Sequence, residues 1–222
     1  MSLLQAERFI TEEQAGFRAG RSTTEQIFNL RILCEKYLQH LQDLYHVVID
    51  FKKAFDRVWH ASLWATMKKY NISANLNQVI KSLYDKATSA VLFNSSIVGW
   101  LQTTVGVQQE CLLSPTLFSI FLDRIMTDSL EDHEGTASIG GRTITNLSFA
   151  DDIDDIAGEE EELAKSVEHF DKASTAYGME ISAEKTKLMT INTSGINTEI
   201  RVNGQNLETV TSFKYLNSVT AD

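Results

Sequence analysis

Two apolar runs in the sequence each end in aspartate. Leu44–Phe51 reads LYHVVIDF, a β-branched run that is typical of a buried strand and carries Asp50 near its end. The second run, Asn146–Ile153, reads NLSFADDI and carries the adjacent pair Asp151 and Asp152. The flanking residues predict a strand, a turn and a second strand around this pair. Because buried strands that end in acids can share one sheet edge, we predict a carboxylate cluster there.

Like charges this close repel one another, so the cluster is either a solvated acidic loop or a site for a cation. Mg²⁺ usually binds one or two carboxylates together with substrate phosphates. Two such ions about 3.5–4 Å apart can activate a hydroxyl and stabilise a leaving pyrophosphate. A bare aspartate pair is a weak signal by itself. A calcium loop of the EF-hand type is excluded, because the sixth position from Asp152 is Ala157 and not glycine.

Helical periodicity predicts five helices, with several short strands between them. Ser22 is a suitable N-cap for the first helix, and a helix from Ser114 is apolar almost all round. Glu159–Glu162 suit the first turn of another helix. Asp154 and Asp155 are expected to be solvated or paired with lysines. Strands and helices interleave irregularly, so we predict an α+β fold with an antiparallel, ferredoxin-like sheet and helices on one face.

Composition excludes several classes of protein. The 222 residues are 43% hydrophobic, which is enough for a large core, and no linker marks a domain boundary. The net charge of -10 argues against a generic nucleic-acid binder. Residues 1–100 hold 12 Lys and Arg against 9 Asp and Glu, whereas residues 101–222 hold 8 against 21. The first part can therefore meet an anion, and the second can hold cations.

The sequence also carries information on cellular location. Cys34 and Cys111 are far apart and lack metal-type spacing, which favours a reducing compartment. The first ten residues are too polar and too short for a signal peptide, and no run reaches the length of a membrane-spanning helix. We therefore expect an intracellular protein, nuclear or cytoplasmic or both, with no membrane partner.

The residues around the aspartates resemble the motifs of one enzyme family. FADD after an apolar strand looks like the catalytic box of reverse transcriptases, in the form usual in non-LTR retrotransposons and group II introns. Six segments occur in the family's order and cover nearly the whole chain. Any one is weak, but together they are very specific. The nearest resemblance is to endonuclease–reverse transcriptase proteins of non-LTR elements. The segments are Glu12–Ile27, Val47–His60, Gly106–Leu122, Phe149–Asp152, Ala176–Met189 and Phe213–Ser218.

This resemblance implies a right-hand polymerase palm with part of the fingers and no thumb. It divides the chain into a fingers–palm connection at residues 1–45, a palm at 46–192 and primer-grip-like strands at 193–222. The implied function is RNA-directed DNA polymerase, with two Mg²⁺ ions as cofactors and Mn²⁺ as an alternative. An RNA template, a DNA primer and dNTPs are the implied partners. The resemblance places the thumb and an endonuclease elsewhere in a longer element protein.

The resemblance also assigns roles to individual residues. Asp50, Asp151 and Asp152 are the implied catalytic metal ligands, together with the backbone carbonyl of Phe51. Phe55 falls at the aromatic gate against the ribose 2′-hydroxyl, although without the resemblance it reads as a core residue. The remaining assignments are Gln109 and Lys185 in substrate binding, with Phe51 and Phe55, and Arg18, Arg21, Ser114, Pro115 and Lys214 in nucleic-acid binding.

Some of these residues also have a purely structural interpretation. Arg18 and Arg21 either contact template or primer phosphates or only pair with glutamates that are close in sequence. Lys185 falls near the incoming triphosphate in the family, yet alone it reads as a solvated surface lysine. Asp56 reads as a structural hydrogen-bonding acid more readily than as a ligand. The residues alone leave these alternatives open.

Two substitutions depart from the family's pattern in one loop. Glu110 stands where the family has glycine, which permits close backbone approach to nucleotide or template. Gln108 replaces an arginine and so removes a positive charge. These departures favour an alternative function, a truncated and catalytically impaired relic that acts at most as a non-catalytic binding domain. A maturase-like role would need a basic surface and a C-terminal helical domain.

Overall fold

The computed structural model describes residues 10–130, 135–192, 198–216 and 218–221, in which five α-helices and thirteen strands form. The helices are α1 (Thr23–Gln39), α2 (His60–Lys69), α3 (Ala74–Asp85), α4 (Ser114–Ser129) and α5 (Glu160–Ala176). The strands are β1 (Leu44–Ile49), β2 (Thr88–Phe93), β3 (Ser96–Gln102), β4 (Ser138–Ile139), β5 (Arg142–Thr143), β6 (Asn146–Phe149), β7 (Asp152–Ala157), β8 (Lys187–Ile191), β9 (Arg201–Val202), β10 (Gln205–Asn206), β11 (Glu208–Thr209), β12 (Ser212–Tyr215) and β13 (Ser218–Ala221).

The helix predictions are confirmed. The side chain of Ser22 accepts a hydrogen bond from the backbone N–H of Glu25 and caps α1. Ser114 begins α4, which is buried along most of its length. Glu159 is the N-cap residue of α5, so the glutamates that follow occupy the first turn, where the helix dipole favours negative charge.

A five-stranded sheet in the order β11-β8-β1-β7-β6 organises the fold. Its pairs are antiparallel except for β11, which runs parallel to β8. Ile49 of β1 is opposite Ile153 of β7, and Phe149 of β6 is opposite Asp152. The register therefore places Asp50, one residue beyond Ile49, beside Asp152. The predicted mixed fold with a central, mainly antiparallel sheet is confirmed.

Both faces of this sheet are covered, so the prediction of helices on one face only is wrong. Val47 and Ile49 face the main core, which α4 and α5 complete. On the opposite face, Leu44 packs with residues of α1 and with Tyr215 of β12 in a second core. The physical reason lies in β1 itself, whose run is apolar on both faces, as in a strand with a layer on either side.

Asp154 is buried, and the expectation of a solvated side chain is wrong. Its side chain and that of His46 are both 0% exposed, with 3.3 Å between Asp154 Oδ2 and His46 Nδ1. Asp154 Oδ1 and His46 Nε2 have no hydrogen-bond partner within the described residues. The strand β7 lies between β1 and β6, and packed layers cover both faces of the sheet. Asp154, in the middle of β7, is therefore buried.

Asp155 is also buried, contrary to the expectation that it is solvated or paired with a lysine, and Glu162 is buried beside it. Asp155 accepts a hydrogen bond of 3.1 Å from the hydroxyl of Ser166 in α5. The pKa of Asp155 is raised to about 7, mainly by burial and to a lesser extent by the charges of Asp154 and Glu162, while the hydrogen bond from Ser166 opposes the rise. Glu162 accepts hydrogen bonds from the backbone N–H and the hydroxyl of Thr136, which compensate for its burial.

The hairpin of β2 and β3 leaves large apolar side chains in contact with solvent. Phe93 is 68% exposed and Trp100 is 63% exposed, and no charged residue occurs between Lys86 and Glu110. In the part of the chain that the structure describes, nothing covers this ribbon. The helices described there are too short or too polar to cross a bilayer.

We predict that Asp155→Asn removes a pH-dependent loss of stability. The folded-state pKa of about 7 lies above the ordinary value of 3.8. The contribution of protonated Asp155 to the unfolding free energy is therefore fully present below pH 3.8 and is lost as the pH rises towards 7. Asparagine can still accept the Ser166 hydrogen bond but does not titrate. Between pH 4 and pH 8 the variant should gain on the order of 4 kcal/mol in unfolding free energy relative to the native protein.

Urea unfolding of both proteins across this pH range measures the effect. A difference in unfolding free energy that stays constant from pH 4 to pH 8 would contradict the prediction.

Candidate active site

The turn between β6 and β7 is held by a side chain far away in sequence. Ala150 adopts a left-handed conformation with φ of 59° and precedes Asp151. The Nε2 group of Gln14 donates to the carbonyl of Ala150 at 3.1 Å, and Gln14 Oε1 accepts from the N–H of Ala150 at 3.0 Å. Gly16 also donates to that oxygen, and a Cβ on Gly16 would lie 2.0 Å from the nitrogen of Ala150. The close approach requires glycine and fixes the backbone that presents Asp151.

Asp50 is held by the backbone and side chains of the segment before β8. Its N–H donates to the hydroxyl of Thr186 at 3.2 Å, and its carbonyl accepts from the N–H of Ser182 at 2.8 Å. Phe51 forms an antiparallel bridge with Ile181. The segment Ala176–Met189, which resembles the family's motif after the aspartate pair, therefore lies along the end of β1 and orients Asp50.

The three predicted catalytic carboxylates influence one another electrostatically. Burial raises the pKa of Asp152, and the charges of Asp151 and Asp50 raise it further. The side chain of Asp50 is 43% exposed as a whole, yet its Oδ1 atom is buried and accepts no hydrogen bond. The Nζ atom of Lys185 lies 3.4 Å from this oxygen, so the structure brings Lys185 to the carboxylates.

The donor set is chemically suited to a hard divalent cation. Carboxylate oxygens are the ligands that Mg²⁺ prefers, and the buried Oδ1 of Asp50 accepts no hydrogen bond from the residues that the structure describes. Within the described residues, no three Asp, Glu, His or Cys side chains already stand close enough to hold an ion. The carbonyl of Phe51 as a further ligand stays a prediction.

Two predicted substrate-binding residues make contacts within the chain. The ring of Phe55 is half-buried and stacks on Phe118 of α4, with centroids 4.4 Å apart and an angle of 13°. Its edge meets Phe17 at 6.5 Å. Gln109 is exposed and donates a hydrogen bond of 3.3 Å to Asp56, which supports the structural interpretation of that acid. The gate role of Phe55 stays a prediction.

The predicted nucleic-acid contacts lie in different places. Ser114 is buried, with its hydroxyl 3.4 Å from that of Tyr84, and Pro115 is half-buried in the first turn of α4. Lys214 is exposed on β12 between two residues that pack against the second core. No contact that the structure describes joins Lys214 to the carboxylates.

Arg18 and Arg21 are engaged within the chain. The Nη1 atom of Arg18 donates to the carbonyls of Thr11 at 2.7 Å and Gln14 at 2.9 Å, and its side chain is only 14% exposed. Arg21 pairs with Glu12 and with Glu25, the latter at 2.9 Å. These contacts support the pairing interpretation, and contacts with phosphates stay a prediction.

Glu110 adopts a backbone conformation that favours glycine. Its φ is 62°, in the left-handed region, where a Cβ atom costs about 1–2 kcal/mol. The loop is otherwise well fixed, because Gly106 donates to Val58 and Val107 donates to Phe55, each at 2.8 Å. The expected need for glycine at position 110 therefore has a physical basis in this backbone.

The candidate site brings Asp151 and Asp152 near Asp50, which directly follows the neighbouring antiparallel strand β1. Comparison with known families identifies the class of protein to which the chain belongs. The model of the family described as reverse transcriptase (RNA-dependent DNA polymerase) matches residues 1–218. The chain therefore belongs to the reverse transcriptase family, whose members are nucleotidyltransferases.

The relatives narrow the class to non-LTR retrotransposons, which confirms the prediction from the motifs. The chain is 25% identical over 189 residues to a Pol polyprotein of the type-1 retrotransposable element R2 of Nasonia vitripennis, covering 85% of this chain and 18% of that protein. It is 25% identical over 224 residues to the RNA-directed DNA polymerase from mobile element jockey of Drosophila melanogaster, covering 96% and 23%. The chain thus spans about a fifth of the length of these relatives.

Solved structures share the fold. Apo telomerase from Candida tropicalis, truncated from its C-terminal domain, matches with a TM-score of 0.66 and 19% identity over 99% of this chain and 43% of that one. Telomerase from Candida albicans in complex with a TWJ fragment of telomeric RNA matches with a TM-score of 0.66 and 12% identity, over 99% and 36%. At this identity the likeness concerns the fold alone.

Sequence reasoning missed the residues that support the carboxylates. Gln14 is 1% exposed and lies 136 positions before Ala150, and Thr186 is as far from Asp50. Nothing in the periodicity of one sequence marks such pairs. The only signal for Gln14 was its place inside the Glu12–Ile27 segment, two positions before the glycine that its side chain contacts.

We predict that Gln14→Leu destabilises the protein by about 2 kcal/mol or more, because it leaves the N–H groups of Ala150 and Gly16 buried without a partner. Gln26→Leu is the matched control, since Gln26 is 3% exposed but donates only one hydrogen bond, to the carbonyl of Glu13. Urea unfolding measures both variants. Equal losses of unfolding free energy would contradict a special role for Gln14.

We predict that Glu110→Gly stabilises the protein by about 1 kcal/mol, because it relieves the left-handed backbone at position 110. Gln108→Gly in the same loop is the control, since the φ of Gln108 is not in that region. It should be neutral or destabilising, because glycine only adds freedom to the unfolded chain. The midpoints of urea unfolding compare the two, and a loss of stability in Glu110→Gly would disprove the strain argument.

Proposed function

We propose that the chain forms the palm and part of the fingers of an RNA-directed DNA polymerase, which copies RNA by extending a DNA primer. The observation that carries this proposal is the register of β1 and β7, which sets Asp50 beside the Asp151–Asp152 turn. The family match supports the reaction class. In this proposal the thumb and an endonuclease belong to a longer protein, and the free thiols of Cys34 and Cys111 suit a location inside the cell.

In this mechanism Asp50, Asp151 and Asp152 would hold two Mg²⁺ ions, with the carbonyl of Phe51 as a further ligand. The chemistry supplied at these residues would be charge stabilisation of the attacking 3′-hydroxyl and of the leaving pyrophosphate. The raised pKa of Asp152 supports the proposal, because burial and, after it, the charges of Asp151 and Asp50 disfavour a further negative charge there, and a cation would offset both effects.

The remaining residues act on the substrates. Phe55 restricts the space beside the ribose 2′-position and selects dNTPs, held in place by its stacking on Phe118. Gln109 and Lys185 contact the incoming nucleotide, and Lys185 can supply a proton to pyrophosphate. Along the template and primer, the contacts are made by Arg18, Arg21, Ser114, Pro115 and Lys214.

Primer extension on an RNA template, with a DNA primer, dNTPs and Mg²⁺, tests this function. We predict extension by the native chain and a fall to the background without protein in Asp151→Ala/Asp152→Ala. The matched control is Glu161→Ala/Glu168→Ala, which removes two exposed acids from α5 and should leave extension unchanged.

A third variant, Glu110→Gly/Gln108→Arg, restores the family's residues in the loop. Extension by this variant alone would show that the chain is an impaired relic with an intact carboxylate site. If neither the native chain nor any folded variant extends the primer, the result would contradict polymerase activity in this chain.

A further inference from the structure

Positive charge that is not neutralised within the chain is concentrated on α2 and α3. Lys68 and Lys69 end α2, Lys81 lies on α3, and Lys86 is its C-cap residue. All four are exposed, and none makes an ion pair within the part of the chain that the structure describes.

Several of the other cations are already engaged within the chain. Lys52 and Arg57 share Glu180 at 2.6 Å each, while Lys165 and Lys172 pair along α5 with Glu161 and Glu168. Arg18 and Arg21, the predicted phosphate contacts, are also in internal contacts. An anion that binds these groups must compete with a carboxylate or a carbonyl. The four lysines of α2 and α3 can bind an anion without first breaking an ion pair within the described part of the chain.

Two of these lysines line a cleft between α2 and α3, which we name the lysine cleft. Its volume is about 490 Å³, within the range of roughly 300–1,000 Å³ that is usual for ligand sites. No acidic residue lines it. Asn77 fixes one wall by donating to the carbonyl of Trp64 at 3.4 Å. The lining residues are Trp64, Lys68, Asn71, Ile72, Ala74, Asn77, Gln78 and Lys81.

The two helices that form the cleft also contact the segment between β3 and α4. The Nε2 atom of His60, at the start of α2, lies at hydrogen-bond distance, 2.8 Å, from the carbonyl of Gly106. The hydroxyl of Tyr84 in α3 lies 3.4 Å from that of Ser114. Both partners belong to the segment that carries Gln109 and begins α4. The lysines thus keep a constant position relative to that segment.

We propose that the lysine cleft binds the sugar–phosphate backbone of the nucleic acid that the chain copies. This inference rests on the proposed function and adds a binding site to it. A chain with a net charge of -10 repels a polyanion over most of its surface, so affinity must come from a local excess of positive charge. Lysine contacts with phosphates release counterions, and the amides of Asn71 and Gln78 can donate to the same oxygens.

The test measures the binding of fluorescein-labelled 20-nucleotide RNA by anisotropy in EDTA, between about 0.05 and 0.3 M salt. We expect Lys68→Gln/Lys81→Gln to weaken binding on the order of tenfold at 0.1 M salt. The slope of log K against log[salt] should become shallower by about 1.4, for two lost phosphate contacts on a single strand. Lys68→Arg/Lys81→Arg should keep most of the affinity, because the charge remains.

The matched control is Lys165→Gln/Lys172→Gln, which makes the same change of charge on α5, where both lysines are exposed and ion-paired. It should weaken binding by less than about threefold. A second arm uses an RNA–DNA hybrid of the same length, and the arm with the larger loss identifies single strand or duplex as the occupant. Equal losses in the two glutamine variants, no loss in Lys68→Gln/Lys81→Gln, or no binding by the native chain overturns the proposal.

Binding in EDTA does not require catalysis, so this result is separate from that of the extension assay. The Asp151→Ala/Asp152→Ala variant should show the same dependence of binding on Lys68 and Lys81. Absence of extension by the native chain, with this dependence of binding on Lys68 and Lys81 intact, would contradict the proposed function alone. Extension that persists while the two lysines prove irrelevant to binding would contradict the lysine cleft alone.

Discussion

The candidate site depends on keeping Asp50, Asp151 and Asp152 near one another against their mutual repulsion. Burial raises the pKa of Asp152, and the charges of Asp151 and Asp50 raise it further, so desolvation and repulsion both oppose this arrangement. The energy that opposes this cost comes from other places: the burial of β1 on both faces and the hydrogen bonds of the turn at Ala150. Packing and hydrogen bonding around the candidate site therefore hold these carboxylates in place.

The sequence predicted those parts of the fold that depend on local pattern. The cap at Ser22, the start of α4 and the strand–turn–strand around the aspartate pair follow from residue types and spacing. Burial of Asp154 and Asp155 did not follow, because it arises when layers from distant segments cover both faces of β7. The support of Ala150 by Gln14 was equally hidden, since chain folding alone brings together residues so far apart.

Ion pairing divides the cations of this acidic chain into two groups. One group is neutralised at short range, such as Arg21 by Glu12 and Glu25 in the segment before α1. The other remains uncompensated, and it lies mainly on α2 and α3. Net charge therefore describes this molecule poorly. The potential that an approaching polyanion meets depends on which lysines lack partners, and that property is visible only once the chain has folded.

The ion pair between Asp50 and Lys185 means that a lysine of the chain itself competes with any other cation for Asp50. If the proposed metal ion bound Asp50 Oδ1, it would compete with the ammonium group that lies 3.4 Å away, so its affinity would be the difference between two interactions. Displacement would free a lysine whose side chain is already 65% exposed. That positive charge would then be available to an anionic ligand. Binding of the cation and binding of the anion would thus be thermodynamically linked, each increasing the affinity for the other.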